Sequence, residues 1–571
     1  MMKNNKFSKT VFYEIKIMSN TVFFLLFVCF LMIFSSCSFK SAPEDSRNKE
    51  TFKKAAQNGK LANEAFMRSQ RLMSSWLTFT DARTGLLPVR LYDSDSQDIW
   101  NAKDSAADNY PFLVLTSYFT NQELFNGRMQ EILFTETALT SRIDRLPDTY
   151  SFSKGDFNNE KPDLDRIIFG ASEYIKDGLI TIVELLGQTP WHARMIGIMD
   201  DIWEHASVKT PSGFIPSTNY EVNGELLQVL SRIYWMTQNE EYLEYAIRLG
   251  DYYLLEDHHP TRDFDRLRLR DHGGEIVAGL TELYATVHYA RPEKARIYQD
   301  PLYEMLDRIL EVGRNDDGLF YNVINPQTGE VLNDGLTDTF GYILNAYYTI
   351  YQLDNVESYH NATLAGLNAI SGYGDYDWEN GSADGDADVI EGVLYLYNRE
   401  PVSSTAKWMD RQIQTMWSKQ DSAWTHDPEG QWRESGIIEG WHGDGNFART
   451  SMMYAMWKTK GTSIQPWRKD VVYGAIQKED ELFINLSADE NWSGKLIFDR
   501  PRHRYYLNLP LDWPRINQFA EWFTVEKDKD YILVNLLTNE QTSHKGNELL
   551  DGVTVSLESG EEQRFILRSV E

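Results

Sequence analysis

From about Leu61 to Lys460 apolar residues recur at three- and four-residue spacing, broken by Gly, Pro, Asn and Asp loops, and no long stretch alternates. The spacing predicts an all-α block whose helices are of two kinds that take turns. One kind is charged on its outer face, as in EYLEYAIRLGDYYLL (241–255), PLYEMLDRILEVG (301–313) and TAKWMDRQIQTMW (405–417). The other is apolar nearly all round, as in YIKDGLITIVELL, EIVAGLTELYATV and DTFGYILNAYYTIY. A helix apolar on every side must be buried on every side. These buried helices begin near 110, 173, 224, 274, 337, 388 and 446, a repeat of roughly 56 residues. Seven hairpins whose inner helices line a ring describe a mainly α fold, an (α/α)6-7 toroid, six- or seven-fold according to whether the first hairpin closes it. An open solenoid of the same hairpins needs polar capping repeats, whereas the last hairpin is as apolar as the middle ones. After Trp467 the period becomes two: VVYGAIQK, LFINLSA, GKLIFD, DYILVNLL, GVTVSLES and QRFILRS read as strands of a small antiparallel β-sandwich.

The N-terminus follows a different pattern. Lys3, Lys6, Lys9 and Lys16 precede an apolar run from Val22 to Phe34, which is shorter than the ~20 residues that cross a bilayer and fits a signal-peptide core. The run ends in Phe34-Ser35-Ser36-Cys37, which resembles the lipobox of bacterial lipoproteins, with Phe in place of the usual Leu. The resemblance implies lipidation at Cys37 and a membrane-anchored protein on the periplasmic side of the outer membrane or at the cell surface. Cys29 and Cys37 are the two cysteines of the chain, so cleavage before Cys37 leaves no intramolecular disulfide. The expected organisation is a signal peptide (1–36), a polar tether (37–56), the toroid (57–465) and the sandwich (466–571).

Composition narrows the partners. Of the 571 residues 42% are hydrophobic, enough for a large core, and the net charge of −29 repels a phosphate backbone, so nucleic acid is excluded as a partner. Sixteen Trp and 31 Tyr fill helix interfaces and also suit stacking on sugar rings. HExxH, CxxC, Walker, Rossmann and GxSxG motifs are missing, and the Asp-rich loop near 386 lacks EF-hand spacing, so neither cofactor nor metal is expected.

In a toroid the loops before the inner helices build one mouth, and nearly every such loop here carries a carboxyl. In order they hold Trp100, Asp108 and Tyr110; Glu173 and Asp177; Asn219, Tyr220 and Glu225; Arg268, Arg270, Asp271, His272 and Glu275; Asp338; Trp378, Asp384, Asp386 and Asp388; and Trp441, His442, Asp444 and Asn446. Capping accounts for about one acid per helix. It does not account for Arg266-Leu-Arg268-Leu-Arg270-Asp271-His272-Gly-Gly-Glu275, whose alternating arginines on an extended segment suit a bidentate carboxylate clamp, or else pair with Asp263 and Asp265. Nor does it account for the Trp441-His442-Gly-Asp444 loop.

Taken together, the lipoprotein-type signal, the toroid with Asp, Glu, His and Trp at its inner-helix starts and the terminal sandwich resemble the six-hairpin glycosidase superfamily and the toroid-plus-sandwich polysaccharide lyases. The resemblance covers residues 60–571 as architecture and transfers no catalytic residue. It implies a glycoside hydrolase acting on oligo- or polysaccharide. From the residues themselves, the expected site takes Glu275 or Asp338 as proton donor and Asp108, Asp388 or Asp444 as its partner. Trp100, Tyr110, Trp378 and Trp441 are expected to supply stacking surface, with His442 beside them, and Arg268 and Arg270 to bind a uronic acid at a chain end. A lyase with His272 or Tyr220 as base and Asn219 or Arg270 as neutraliser is the alternative, and a non-catalytic glycan-binding lipoprotein the third.

Overall fold

The computed structural model describes residues 48–421, 424–426, 432–434, 436–438 and 445–570. Residues 51 to 571 form one compact unit. Its first part is seven helical hairpins. The outer helices are α1 (Lys49–Trp76), α3 (Arg128–Thr140), α5 (Pro190–Glu204), α7 (Glu240–Leu254), α9 (Pro292–Val312), α11 (Glu357–Ala369) and α13 (Ser403–Asp421). The inner ones are α2 (Tyr110–Thr120), α4 (Ile180–Leu186), α6 (Tyr220–Thr237), α8 (Glu275–Ala290), α10 (Phe340–Asp354), α12 (Ala383–Tyr397) and α14 (Asn446–Thr459). Neighbouring inner helices pack on one another, the second reaching α6 through the π turn Tyr174–Leu179 and the helical stretch Leu164–Glu173 before it, and α14 returns against α2, so among the described residues the ring is closed and seven-fold. The outer layer closes as well, because Arg68 of α1 donates to the Trp417 carbonyl (3.0 Å) and to Asp421 (2.9 Å) of α13.

Close approach between inner helices is what draws the ring shut. A Cβ on Gly341 would lie 2.5 Å from the Gly392 carbonyl carbon, and one on Gly279 would lie 2.5 Å from the Gly224 oxygen. Only glycine lets these backbones touch. Before α2 and α4 the chain widens into π-helical turns, Ala102–Asn109 and Tyr174–Leu179, in which the Tyr110 N–H bonds to the Ser105 carbonyl and the Ile180 N–H to the Ile175 carbonyl. Such turns insert a residue into the helical ladder and re-aim the side chains around it.

The C-terminal part is a sandwich of two antiparallel sheets. One is three-stranded, β1 (Ser463–Gln465), β4 (Trp492–Ile497) and β7 (Val553–Leu557), in the order β1-β4-β7. The other adds β2 (Val471–Lys478), β3 (Glu481–Ala488), β5 (Asp530–Asn535), β6 (Glu540–Lys545) and β8 (Glu562–Ser569), in the order β2-β3-β8-β5-β6. The expected tether is shorter than 37–56, since α1 begins at Lys49 and Phe52 packs edge-on against Phe483 of β3 at 5.6 Å. Phe52, Ala55, Gly59, Ala62 and Phe66 form the buried stripe, a helical spacing hidden among the lysines around it. The segment Leu507–Phe523 leaves the sandwich and enters the ring, where Trp513, Arg515, Asn517 and Gln518 are fully or nearly fully buried. No described helix is long and apolar enough to cross a membrane.

If backbone contact between inner helices holds the ring, Gly341→Ala should cost about 1–3 kcal/mol, the usual scale of overpacking, and lower Tm by several degrees. Gly372→Ala, where a Cβ meets nothing within 4 Å, is the control that should leave the calorimetric Tm in place. Equal Tm values for the two variants would show that the helices simply move apart.

Candidate active site

The starts of the inner helices converge on a cleft lined by Asp108, Lys176, Asp177, Asp271, Glu275, Thr339, Tyr342, Asp384, Asp388, Asn446 and Arg449. The loops near 108, 272, 338 and 388 therefore share one mouth, as the sequence pattern requires. The loop at 220 does not reach it.

Two basic groups organise the acids. Lys176, buried in the π turn before α4, donates to Asp177 (2.7 Å) and Glu275 (2.5 Å). Burial opposes its charge, and Asp177, Glu275 and Glu225 outweigh burial, so its pKa rises. Glu275 also accepts from the Gln228 amide. Glu275 thus accepts on both oxygens, held between Lys176 and Gln228, an arrangement that suits a positioning group more than the proton donor expected of it.

On the opposite arc Arg449 donates to Asp388 (2.9 Å) and pairs with Glu391, while the Tyr342 hydroxyl donates to Asp388 (3.0 Å). Burial, then the neighbouring Asp384, pushes Asp388 well above the carboxylate range against the pull of Arg449. Burial likewise raises Glu391 to about 7, opposed by Arg449 and Lys176. Asp384 accepts from the Asn446 amide at 2.5 Å.

Asp338 precedes α10 and is 5% exposed. Burial, followed by the charge of Glu379 and opposed by Arg270, pushes its carboxyl up to about 8. Its Oδ1 accepts from the N–H of Thr339 (2.9 Å), and Thr339 lines the cleft. Asp108, on the π turn before α2, stands across the ring from it, three inner helices away by the shorter route through α14 and α12.

Several expected binding residues are structural instead. Trp100 is 2% exposed and pairs with Tyr150 in a short ladder, so it presents no platform. The Tyr110 hydroxyl is spent on the Met129 carbonyl (2.5 Å) and on the Trp191 indole N–H (2.9 Å). Trp378 is fully buried, 4.6 Å from Tyr376 and stacked on Phe340 at 6.2 Å. Asn219 caps α6 by accepting from the Glu221 N–H (2.9 Å), and Tyr220 packs on Phe264 at 5.4 Å. The arginine clamp is closed by other carboxyls: Arg268 pairs with Asp271, and Arg270 with Glu379 at 2.9 Å, rather than with Asp263 and Asp265. Asp386 turns away from the mouth to Lys419 (2.5 Å) and Gln412 (2.8 Å) of α13. Cys37, Trp441, His442, Asp444 and the side chain of His272 lie outside the described residues.

Sequence reasoning missed Lys176, Tyr342, Arg449 and Asn517. Lys176 and Arg449 left a signal, since each is a cation in a mostly apolar stretch at the start of an inner helix, where a charge persists only if paired.

No protein-family model matches the chain, and no curated protein does. Among solved structures it is similar to an inactive variant of an alpha-1,6-mannanase, GH76A of Salegentibacter sp. HEL1_6, in complex with alpha-1,6-mannotetrose (TM-score 0.39, 10% identity, 68% of this chain and 98% of that one). It is similar also to a family 76 glycoside hydrolase (mannosidase) of Bacteroides thetaiotaomicron VPI-5482 (0.39, 14%, 69% and 99%). A third is the cellobiose 2-epimerase of Bacillus thermoamylovorans B4167 (0.34, 14%, 49% and 85%).

The raised carboxyl of Asp338 has a consequence for stability. In the folded protein it keeps its proton up to about 8, whereas unfolded it loses it near the ordinary aspartate value. The stability this proton contributes is therefore complete below about pH 4 and is lost as pH rises through 8. Asp338→Asn cannot ionise, so its Tm relative to the parent should climb between pH 5 and pH 9, by at least ~2 °C on the scale expected of about 1 kcal/mol. A difference that stays flat across that range would show the carboxyl to be unshifted.

Proposed function

We propose that the chain is a glycoside hydrolase in which Asp338 is the proton donor and Asp108 the ionised partner across the mouth. The observation that carries this reading is Asp338 itself: a buried carboxyl next in sequence to the cleft-lining Thr339, which burial and the charge of Glu379 push up to about 8. Glycosidic cleavage requires one carboxyl protonated and another ionised on the two sides of the bond. Lys176 and Arg449 are occupied by Asp177, Glu275, Asp388 and Glu391, and both arginines of the expected clamp are occupied too. An arriving uronate would find carboxyls and no unengaged cation among the groups named here, so the reading favours a neutral sugar over the uronic acid expected from the sequence. Of the two bases expected for β-elimination, Tyr220 packs on Phe264 away from the cleft and burial raises its phenol, while the side chain of the other, His272, lies outside the described residues.

The test is a panel of neutral and uronate-containing oligosaccharides, α-1,6-mannotetraose among them, followed for new reducing ends and for absorbance near ~235 nm, which only elimination creates. Reducing ends from neutral substrates without that absorbance are expected. Asp338→Asn and Asp108→Asn should each lower kcat at least ~10²-fold, the scale of a general acid or base. The parent's rate should fall as pH rises through about 8, where Asp338 loses its proton. Absorbance gain, or near-normal rates in both variants, overturns the assignment.

We further propose that the mature chain is lipidated at Cys37 and held on the periplasmic side of the outer membrane or at the cell surface, a reading supported by the order of basic, apolar and small residues before that cysteine. Cys37→Ser should move the protein from the membrane fraction to the soluble one; unchanged membrane association would exclude the anchor.

A further inference from the structure

Asn517 arrives from the far end of the ring, on the Leu507–Phe523 segment, and is fully buried. Its side chain meets the Arg449 guanidinium and the backbone of Lys176. The Arg449 guanidinium donates to Asn517 Oδ1 (3.0 Å), and Asn517 Nδ2 donates to the Lys176 carbonyl (3.0 Å) and to Asp177 Oδ1 (3.1 Å). Its backbone N–H donates to the Tyr395 hydroxyl (2.7 Å), which in turn donates to Glu391. One amide thus bridges the π turn before α4 to α14, and through Tyr395 to α12.

The segment that presents it is held firmly. Arg515 pairs with Glu184 of α4 (3.0 Å) and with Asp512 (2.9 Å), its N–H donates to Gln518 Oε1 (2.8 Å), and the Trp513 indole N–H reaches Glu282 of α8 (3.4 Å). Asn517 has φ +64°, a left-handed conformation that Asn tolerates better than other branched or bulky residues.

We infer that Asn517 is a positioning residue of the active site, supplied by the C-terminal sandwich, which sets where Arg449 and Asp177 stand and through Arg449 sets Asp388 and Glu391. This rests on the hydrolase reading for the reaction but on geometry alone for the positioning. The consequence is that the sandwich is a structural part of the catalytic site rather than an accessory module.

The groups facing the affected carboxyls come from four sides. Glu391 faces Arg449 of α14, Lys176 and Asp177 of the π turn, Tyr395 on its own helix and the Asn517 backbone; Asp388 faces Arg449, Asp384, Glu391, Tyr342 and Asp338. When Arg449 loses its Asn517 contact it holds these carboxyls less well, and both should keep their protons to higher pH.

The test compares Asn517→Gly, which removes the amide and fits the left-handed backbone, with Asn517→Asp, which keeps the acceptor for Arg449 but cannot donate to Asp177. On whichever substrate the parent cleaves, both should lower kcat by at least ~10-fold with KM changed less than ~3-fold, because Asp388 faces the proton donor Asp338, so displacing Arg449 and Asp388 disturbs that donor while the sugar still binds. The pH–rate profile should move with them. A second readout needs no substrate: because Asp388 and Glu391 are raised further, the Tm deficit of Asn517→Gly should be larger at pH 8.5 than at pH 5.5. A parent inactive across the whole panel overturns the hydrolase reading and leaves the positioning to this second measurement. Parent-like kcat and pH profile in the variants, or a Tm deficit of equal size at both pH values, overturns the positioning role.

Discussion

Charge buried along the axis of the ring is the constraint on which the rest depends. Three sets of basic groups with acidic partners lie inside the ring: Lys176 with Asp177 and Glu275, Arg449 with Asp388 and Glu391, and Arg232 and Arg515 with Glu184 and Glu282. A buried ion is tolerated only when its partner is buried with it, and removing one member strands the other at a cost of several kcal/mol. Each set joins helices that are distant in sequence. Lys176 ties the second hairpin to the fourth, and Arg515 brings the C-terminal segment to α4. Ring closure, the entry of the 507–523 segment and the arrangement of the mouth are therefore one problem in charge pairing.

The same burial prepares the chemistry. A carboxyl surrounded by water and one cation ionises far below neutrality. Here burial, with Glu379 beside Asp338 and Asp384 beside Asp388, works against the nearest arginine and wins. Like charges held close cannot all ionise, so a mouth with this many acids contains both protonated and ionised members at one pH. Acid–base catalysis needs that division.

How much of this could be read from the chain differs by element. The fourteen helices and the strands after Trp467 were legible because each buries a face with its own period, and the inner helices start within a few residues of where their Gly- and Asp-rich loops end. That Asp108, Glu275, Asp388 and Thr339, the neighbour of Asp338, line one cleft is consistent with that periodicity. Partners were not legible. Arg270 could be seen as a cation on an extended segment, but its neutraliser, Glu379, is 109 residues away in another hairpin. Trp100, Tyr110 and Trp378 could be seen as aromatic, but an aromatic before an inner helix serves the core as readily as the mouth, and only burial separates the two. Asn517 lies in a stretch without period, and nothing local to it points to a ring 120 residues earlier, where Tyr395 receives its N–H.

The helix starts exert one more influence, and it explains why an arginine stands at 449. Seven inner helices begin at or near the mouth, and the positive end of a helix dipole favours ionised carboxyls within its first turn only. Asp384 lies in the first turn of α12, while Asp388 and Glu391 lie one and two turns further in, beyond that help and progressively more enclosed, with Glu391 fully buried. Burial raises both, Asp388 well above the carboxylate range and Glu391 to about 7, and Arg449 opposes that rise without cancelling it. Arg449 supplies at that depth what the dipole supplies at the rim, and it is itself held by an amide from the opposite end of the barrel. The depth at which each acid sits along α12 thus decides which partner it needs, and the innermost of those partners is the one that the helical ring alone cannot keep in place.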